Sequence, residues 1–151
     1  MVLAKRIADG FFRDITSLGG IYVYLIIALV IFIVGNYPLF MKLLFGAFAS
    51  YLIAGIIRIV YFKDRPNKES HSNFIERIDA SSFPSIHAFR VSYLLIVFGY
   101  AFENVIAIIL IFTAAFLVCV SRIYLRKHDY VDVLGGIVLG IVLGYSGMYL
   151  F

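Results

Sequence analysis

"SRIYLRKHDYVD", Ser121 to Asp132, is a run of charges set into an otherwise apolar chain. It lies between two hydrophobic runs, Val105 to Leu125 and Val131 to Phe151, each near the roughly 20 residues that a helix needs to cross a bilayer. Ionisable groups at a membrane edge are costly and are functional candidates by default. Arg122 closes the preceding run. His128 and Asp132 stand four residues apart, the spacing that brings two side chains together at a helix start. A carboxylate bonded to one imidazole nitrogen fixes the tautomer and raises the nucleophilicity of the other. Taken singly, each residue has a plainer explanation: a helix cap, a snorkelling arginine, an interfacial histidine.

The rest of the chain supports a membrane setting. Of its 151 residues 63% are hydrophobic and only 15% charged, too little polar surface to clothe a water-soluble domain. Five apolar runs can be drawn: about Gly20 to Val34, Pro38 to Phe62, about Pro84 to Phe102, and the two already named. Before them, Leu3, Ala4, Ile7, Ala8, Phe11, Phe12 and Ile15 share one helical arc opposite Lys5, Arg6, Asp9 and Arg13, which predicts a helix lying in the interface. The expected fold is all-α: an integral membrane helical bundle of about five transmembrane helices in one domain, with residues 1–18 as an interfacial amphipathic helix. Gly136, Gly140 and Gly144, at four-residue spacing, predict a face for close helix approach, within the molecule rather than between copies. Cys119 reads as a small core residue and His71 as a solvated loop residue. The net charge of +4 fits loops near anionic lipid, with no nucleic-acid surface.

Two further polar clusters fall on the same membrane side. In "RIVYFKDRP", Arg58 to Pro66, Arg58 and Arg65 are seven residues apart, which on a continuing helix gives them one face and suggests an anion partner; Pro66 ends the span nearby. Lys63 and Lys68 read as snorkelling to headgroups. In "SFPSIHAFR", Ser82 to Arg90, a cap at Ser81 or Ser82 and Pro84 in the first turn would leave backbone N–H groups near Ser85 to His87 open at a helix N-terminus, which binds phosphate readily. His87 would stand beside that anion, placed to give or take a proton. Arg90, one turn on, could reach a headgroup, with snorkelling the favoured reading.

Together these stretches resemble the three signatures of the type 2 phosphatidic acid phosphatase superfamily, K-x6-RP, PSGH and SR-x5-H-x3-D, in that order. They cover about Arg58 to Gly140, and the third is complete in residues and spacing. The resemblance implies that His128 attacks phosphorus to form a phosphohistidine and that Asp132 orients it. It implies that His87 protonates the leaving oxygen and then activates water. Arg58, Arg65, Arg122 and Ser85, with backbone N–H groups near Ile86 and His87, would bind the phosphoryl oxygens. It implies no metal and no cofactor. The expected activity is dephosphorylation of a membrane lipid phosphate: a phosphatidate, a glycerophosphate lipid, or a polyprenyl phosphate or pyrophosphate. The alternatives are a lipid phosphotransferase using the same intermediate and a non-catalytic lipid-phosphate-binding protein. Two positions depart from the pattern. Arg58 replaces lysine, a planar fork for a point charge. Ile86 replaces glycine, so the expectation is that α-helix begins there with ordinary φ and that the N–H donor is kept.

Twelve Lys and Arg residues fall on the motif side and only Lys42 on the other. The positive-inside bias therefore predicts a site at the cytoplasmic face of the cell membrane.

Overall fold

A computed structural model describes residues 2–67 and 72–149. His71 and Lys68 lie outside the described residues, as does the end of the last apolar run. The regular structure of the described residues is all helical: α1 (Val2–Ser17), α2 (Ile21–Ile33), α3 (Tyr37–Val60), α4 (Phe74–Ala80), α5 (Ile86–Ala101), α6 (Val105–Tyr124) and α7 (Tyr130–Met148).

Each boundary has a local cause. Asn36 caps α3 by accepting from the Leu39 N–H at 3.1 Å, with a proline in the first turn. Asn104 caps α6 by accepting from Ala107 at 3.1 Å, and Asn73 caps α4 by accepting from Glu76 at 2.9 Å. At α7 the cap is reciprocal: the Asp129 carboxylate accepts from the Asp132 N–H, and the Asp132 carboxylate accepts from the Asp129 N–H, each at 3.0 Å. Arg126 adopts a positive φ of 53° in the turn that reverses the chain between α6 and α7.

All five apolar runs are helical, but they differ in reach. Among the described residues α3, α6 and α7 are long and apolar enough to cross a membrane alone. α2 has 13 residues and spans only about 20 Å at 1.5 Å per residue, short of a hydrocarbon core of about 30 Å. It meets α1 at a 46° bend, and the pair together satisfies the length and hydropathy of one broken span. α5, with 16 residues, is also short, and it is the most enclosed helix, packed by α3, α6 and α7.

One core cluster joins α2, α3 and α5 through Tyr24, Leu43, Tyr93 and Val97, all at 1% exposure or less. The outer faces of α2, α3, α6 and α7 stay apolar and exposed, as in Ile26, Phe48, Ile109 and Val138, the pattern expected against lipid. α1 docks on the end of α6: Phe12 stacks on Tyr124 at 4.2 Å, and Ile15 packs on Val91, Ala115 and Val118.

The glycine stripe packs within the molecule, as expected. A Cβ on Gly136 would meet the Ser85 carbonyl oxygen at 2.4 Å, and one on Gly140 would meet that of Phe89 at 2.4 Å. α7 thus lies backbone to backbone on α5, and the Ser85 N–H donates to the Asp132 carbonyl at 3.0 Å. This contact brings the starts of α5 and α7 together.

Candidate active site

The residues singled out in the three motifs converge on one cavity of ≈ 340 Å³, lined by Arg58, Arg65, Ile86, His87, Arg122 and His128, and also by Asp79, Arg90 and Tyr51. Ser85 is buried beneath it as the cap of α5, and Asp132 is buried behind His128.

Arg58 comes from the last turn of α3 and is buried. Its Nη2 donates to the Pro84 carbonyl at 3.0 Å and its Nη1 to the Ile78 carbonyl at 3.4 Å. Among the described residues its Nε has no acceptor and no carboxylate lies in ion-pair range. Arg65 reaches the same cavity by another route than the shared helical face expected. α3 ends at Val60 with an extended cap at Tyr61, so the following connector carries Arg65 in, where Nη2 donates to the Asp79 carbonyl at 2.6 Å. Regular helix thus ends five residues before Arg65, so the seven-residue spacing does not place Arg58 and Arg65 on one helical face; Pro66 restricts only its predecessor and does not account for the earlier end.

The start of α5 also differs in detail. Ser81 is the C-cap of α4, and the Ser82 N–H donates to the Lys63 carbonyl at 2.8 Å, so neither caps α5. Pro84 follows a cis peptide and precedes the cap rather than opening the helix. Ser85 is the N-cap, its Oγ accepting from the Ala88 N–H at 3.5 Å. The N–H groups of Ile86 and His87 then have no intrahelical acceptor and sit at the positive end of the helix. Ile86 is the first helical residue. Arg126 is the one non-glycine residue with positive φ among the described residues, so the change from glycine carries no backbone strain.

On the opposite wall, Arg122 in the last turn of α6 donates from Nη1 to Thr16 Oγ1 at 2.9 Å, which ties it to α1. His128 sits just before α7, with Nδ1 3.6 Å from Asp132 Oδ2. This is longer than a good hydrogen bond but close enough for the charge to orient the ring. Nε2 is left as the nitrogen for the cavity.

Lys63 is the residue that the sequence reading missed. It does not snorkel: Nζ donates to Asp132 Oδ1 at 2.8 Å and to Asp129 Oδ2 at 2.6 Å, bridging the α3–α4 connector to the cap of α7. The Asp132 carboxylate is therefore held by Lys63 on one oxygen and by the Asp129 N–H on the other. Partial burial opposes the Lys63 charge, but the two carboxylates outweigh it and hold the ammonium above its ordinary pKa. Burial holds the His128 imidazole below its ordinary pKa, against the pull of Asp132, so the ring stays neutral and nucleophilic. A lysine five residues after Arg58 carries no marker for this role, because its partners are 66 and 69 positions away.

Arg90 is the second correction. It is buried at 3% exposure, donates from Nη1 to the Gly19 carbonyl at 3.2 Å, and lies with Cζ 4.5 Å from the centre of the Tyr51 ring.

A helical bundle with an apolar outer belt and an arginine-lined cavity at one end defines an integral membrane protein. A profile of the PAP2 superfamily matches residues 39–151, and the chain belongs to that superfamily. Its fold is that of Aquifex aeolicus LpxE, at TM-score 0.76 and 23% identity over 95% of this chain and 86% of that one. It is also similar to the crystal structure of the first transmembrane PAP2 type phosphatidylglycerolphosphate phosphatase from Bacillus subtilis, at TM-score 0.61 and 22% identity over 95% of this chain and 76% of that one. No curated protein matches by sequence.

Proposed function

We propose that the protein hydrolyses a phosphate ester or anhydride on a membrane lipid through a phosphohistidine at His128, without a metal. The observation that carries this reading is Arg58. It is a buried guanidinium that donates to two carbonyls, and it faces a cavity that also holds two histidines, His87 from α5 and His128 from the turn before α7. A buried charge without a counter-ion is strongly unfavourable, so the missing partner is an anion that enters the cavity.

In this reading His128 Nε2 attacks phosphorus while Asp132, itself held by Lys63, orients the ring and stabilises the developing imidazolium. Arg58, Arg65 and Arg122, with the open N–H groups of Ile86 and His87, hold the phosphoryl oxygens as charge spreads over them. His87 gives its proton to the leaving oxygen and recovers one from the water that cleaves the intermediate. The membership of the superfamily, and a relative described as a phosphatidylglycerolphosphate phosphatase, support a lipid phosphate as the substrate class.

The test is phosphate release in EDTA from phosphatidate, phosphatidylglycerophosphate and polyprenyl phosphates in mixed micelles. His128→Ala should lower release by about a thousandfold or more. Unchanged release would reject His128 as the nucleophile.

A further inference from the structure

The general acid of this reaction lacks a support that the nucleophile has. Asp132 orients His128, but among the described residues no hydrogen bond holds His87. An imidazole free to turn about Cβ–Cγ points its proton away from the leaving oxygen for much of the time, so a general acid needs a fixed backing.

The elbow between α1 and α2 lies against that ring. α1 closes in tight turns, with the N–H groups of Leu18, Gly19 and Gly20 donating to the carbonyls of Ile15, Thr16 and Ser17 at 3.1, 3.1 and 2.8 Å. Gly19 is buried there, and a Cβ on it would meet His87 Cδ2 at 3.1 Å, His87 Cβ at 3.2 Å and Val118 Cγ1 at 2.8 Å. Gly35 is the one glycine with positive φ among the described residues, so glycine at position 19 serves close approach and not backbone conformation. Gly20 and Ile21, the next two residues, line the cavity itself.

Two arginines of the cavity hold the elbow. Arg90, one turn after His87 on α5, donates from Nη1 to the Gly19 carbonyl at 3.2 Å. It is held in turn by a hydrogen bond to the Tyr51 side chain, with Cζ 4.5 Å from the centre of that ring. Arg122, at the end of α6, donates from Nη1 to Thr16 Oγ1 at 2.9 Å. The elbow precedes residues 39–151, the part of the chain that the superfamily profile matches, so the three signatures give it no role.

We propose that Gly19 is a positioning residue for His87: the elbow, clasped by Arg90, backs the imidazole and fixes the direction of its proton. This rests on the phosphatase reading given above. As the bond from phosphorus to the ester oxygen breaks, its electron pair stays on that oxygen, and the His87 proton must reach it there. An alkoxide is a poor leaving group without that proton, whereas a nitrophenolate departs as the anion. A displaced elbow therefore affects one leaving group and spares the other, while general damage to the phosphate site affects both.

The experiment compares kcat/KM, which reports phosphoryl transfer and not the later hydrolysis, for dodecyl phosphate and for the phosphate ester of a dodecyl-substituted nitrophenol, in EDTA. Gly19→Ala should lower kcat/KM by about 10- to 100-fold for dodecyl phosphate and by less than about threefold for the nitrophenyl ester. Should that variant fail to fold, Gly19→Ala with Val118→Ala gives the methyl room on the α6 side, leaves the His87 contact, and should show the same selective loss. Arg90→Met should show it as well, with Arg90→Lys between Arg90→Met and the wild type. Equal loss on both esters, or full activity on dodecyl phosphate in the double variant, overturns the positioning role. His87→Ala is the reference: a selective loss there without one in the Gly19 variants rejects the elbow alone. Equal loss on both esters in His87→Ala rejects His87 as the general acid, and a wild type that releases phosphate from neither ester rejects the phosphatase reading; either result overturns the positioning role with it.

Discussion

Lys63 and His128 make the most specific test at the level of single residues. His128 must be neutral to attack, and burial lowers its pKa, so the acid limb of kcat/KM should lie below the ordinary histidine value of about 6.5. The groups acting on the ring are Asp132, Arg122 and Arg65, with Lys63 dividing the charge of Asp132. Lys63→Met frees that carboxylate to hold the His128 proton, which should raise the His128 pKa and move the acid limb to higher pH. It should also lower kcat by about tenfold with little change in KM, the scale of a group one step removed from the reacting atoms, and Lys63→Arg should restore part of it. A profile that loses amplitude without moving would show that Lys63 is only a structural tie. Of the residues around the cavity, the histidines, Asp132 and three arginines were legible as motif positions. Lys63 and Arg90 were not, because their roles depend on partners distant in the chain or on burial that no spacing encodes.

Among the helices, the pairing of α5 with α7 decides whether there is a site at all. The start of α5 supplies His87 and the open N–H groups, the start of α7 supplies Asp132, and Gly136 allows the two backbones to meet. Gly136→Ala places a methyl carbon 2.4 Å from the Ser85 carbonyl oxygen, a backbone atom that cannot rotate away. The expected cost is about 1–3 kcal/mol of stability together with lost activity, read by thermal unfolding in detergent and by phosphate release. A variant with unaltered melting and full activity would show that this approach is not needed. The glycine spacing already predicted a close helix face. What it left open was the partner, which is α5 from its cap at Ser85 as far as Ile96. The starts of α5 and of α3 shifted from their expected places for local reasons: Ser85 rather than Ser81 or Ser82 caps α5, and Asn36 caps α3.

Across the whole molecule, the open question with a direct test is sidedness. All motif-bearing ends gather at one end of the bundle, where α1 is also tied through Tyr124 to Asp9 and Arg122 to Thr16. The sequence assigns twelve of the thirteen Lys and Arg residues to the motif side, and the positive-inside bias predicts that this side faces the cytoplasm. In a variant with Cys119 removed, a cysteine at the exposed Asn67 should resist a membrane-impermeant thiol reagent in intact cells and react after permeabilisation. Ready labelling of intact cells would reverse the orientation. The sequence by itself determined the membrane setting, the helical class and the histidine, carboxylate and arginine positions of the motifs, because apolar run length and local residue spacing carry that information. Only the tertiary structure decided that α2 and α5 are short, that Lys63 clamps Asp132, and that Arg90 is buried in the cavity of "SFPSIHAFR" and "SRIYLRKHDYVD". Those features follow from which helix faces meet, and a local pattern does not specify a contact between residues tens of positions apart.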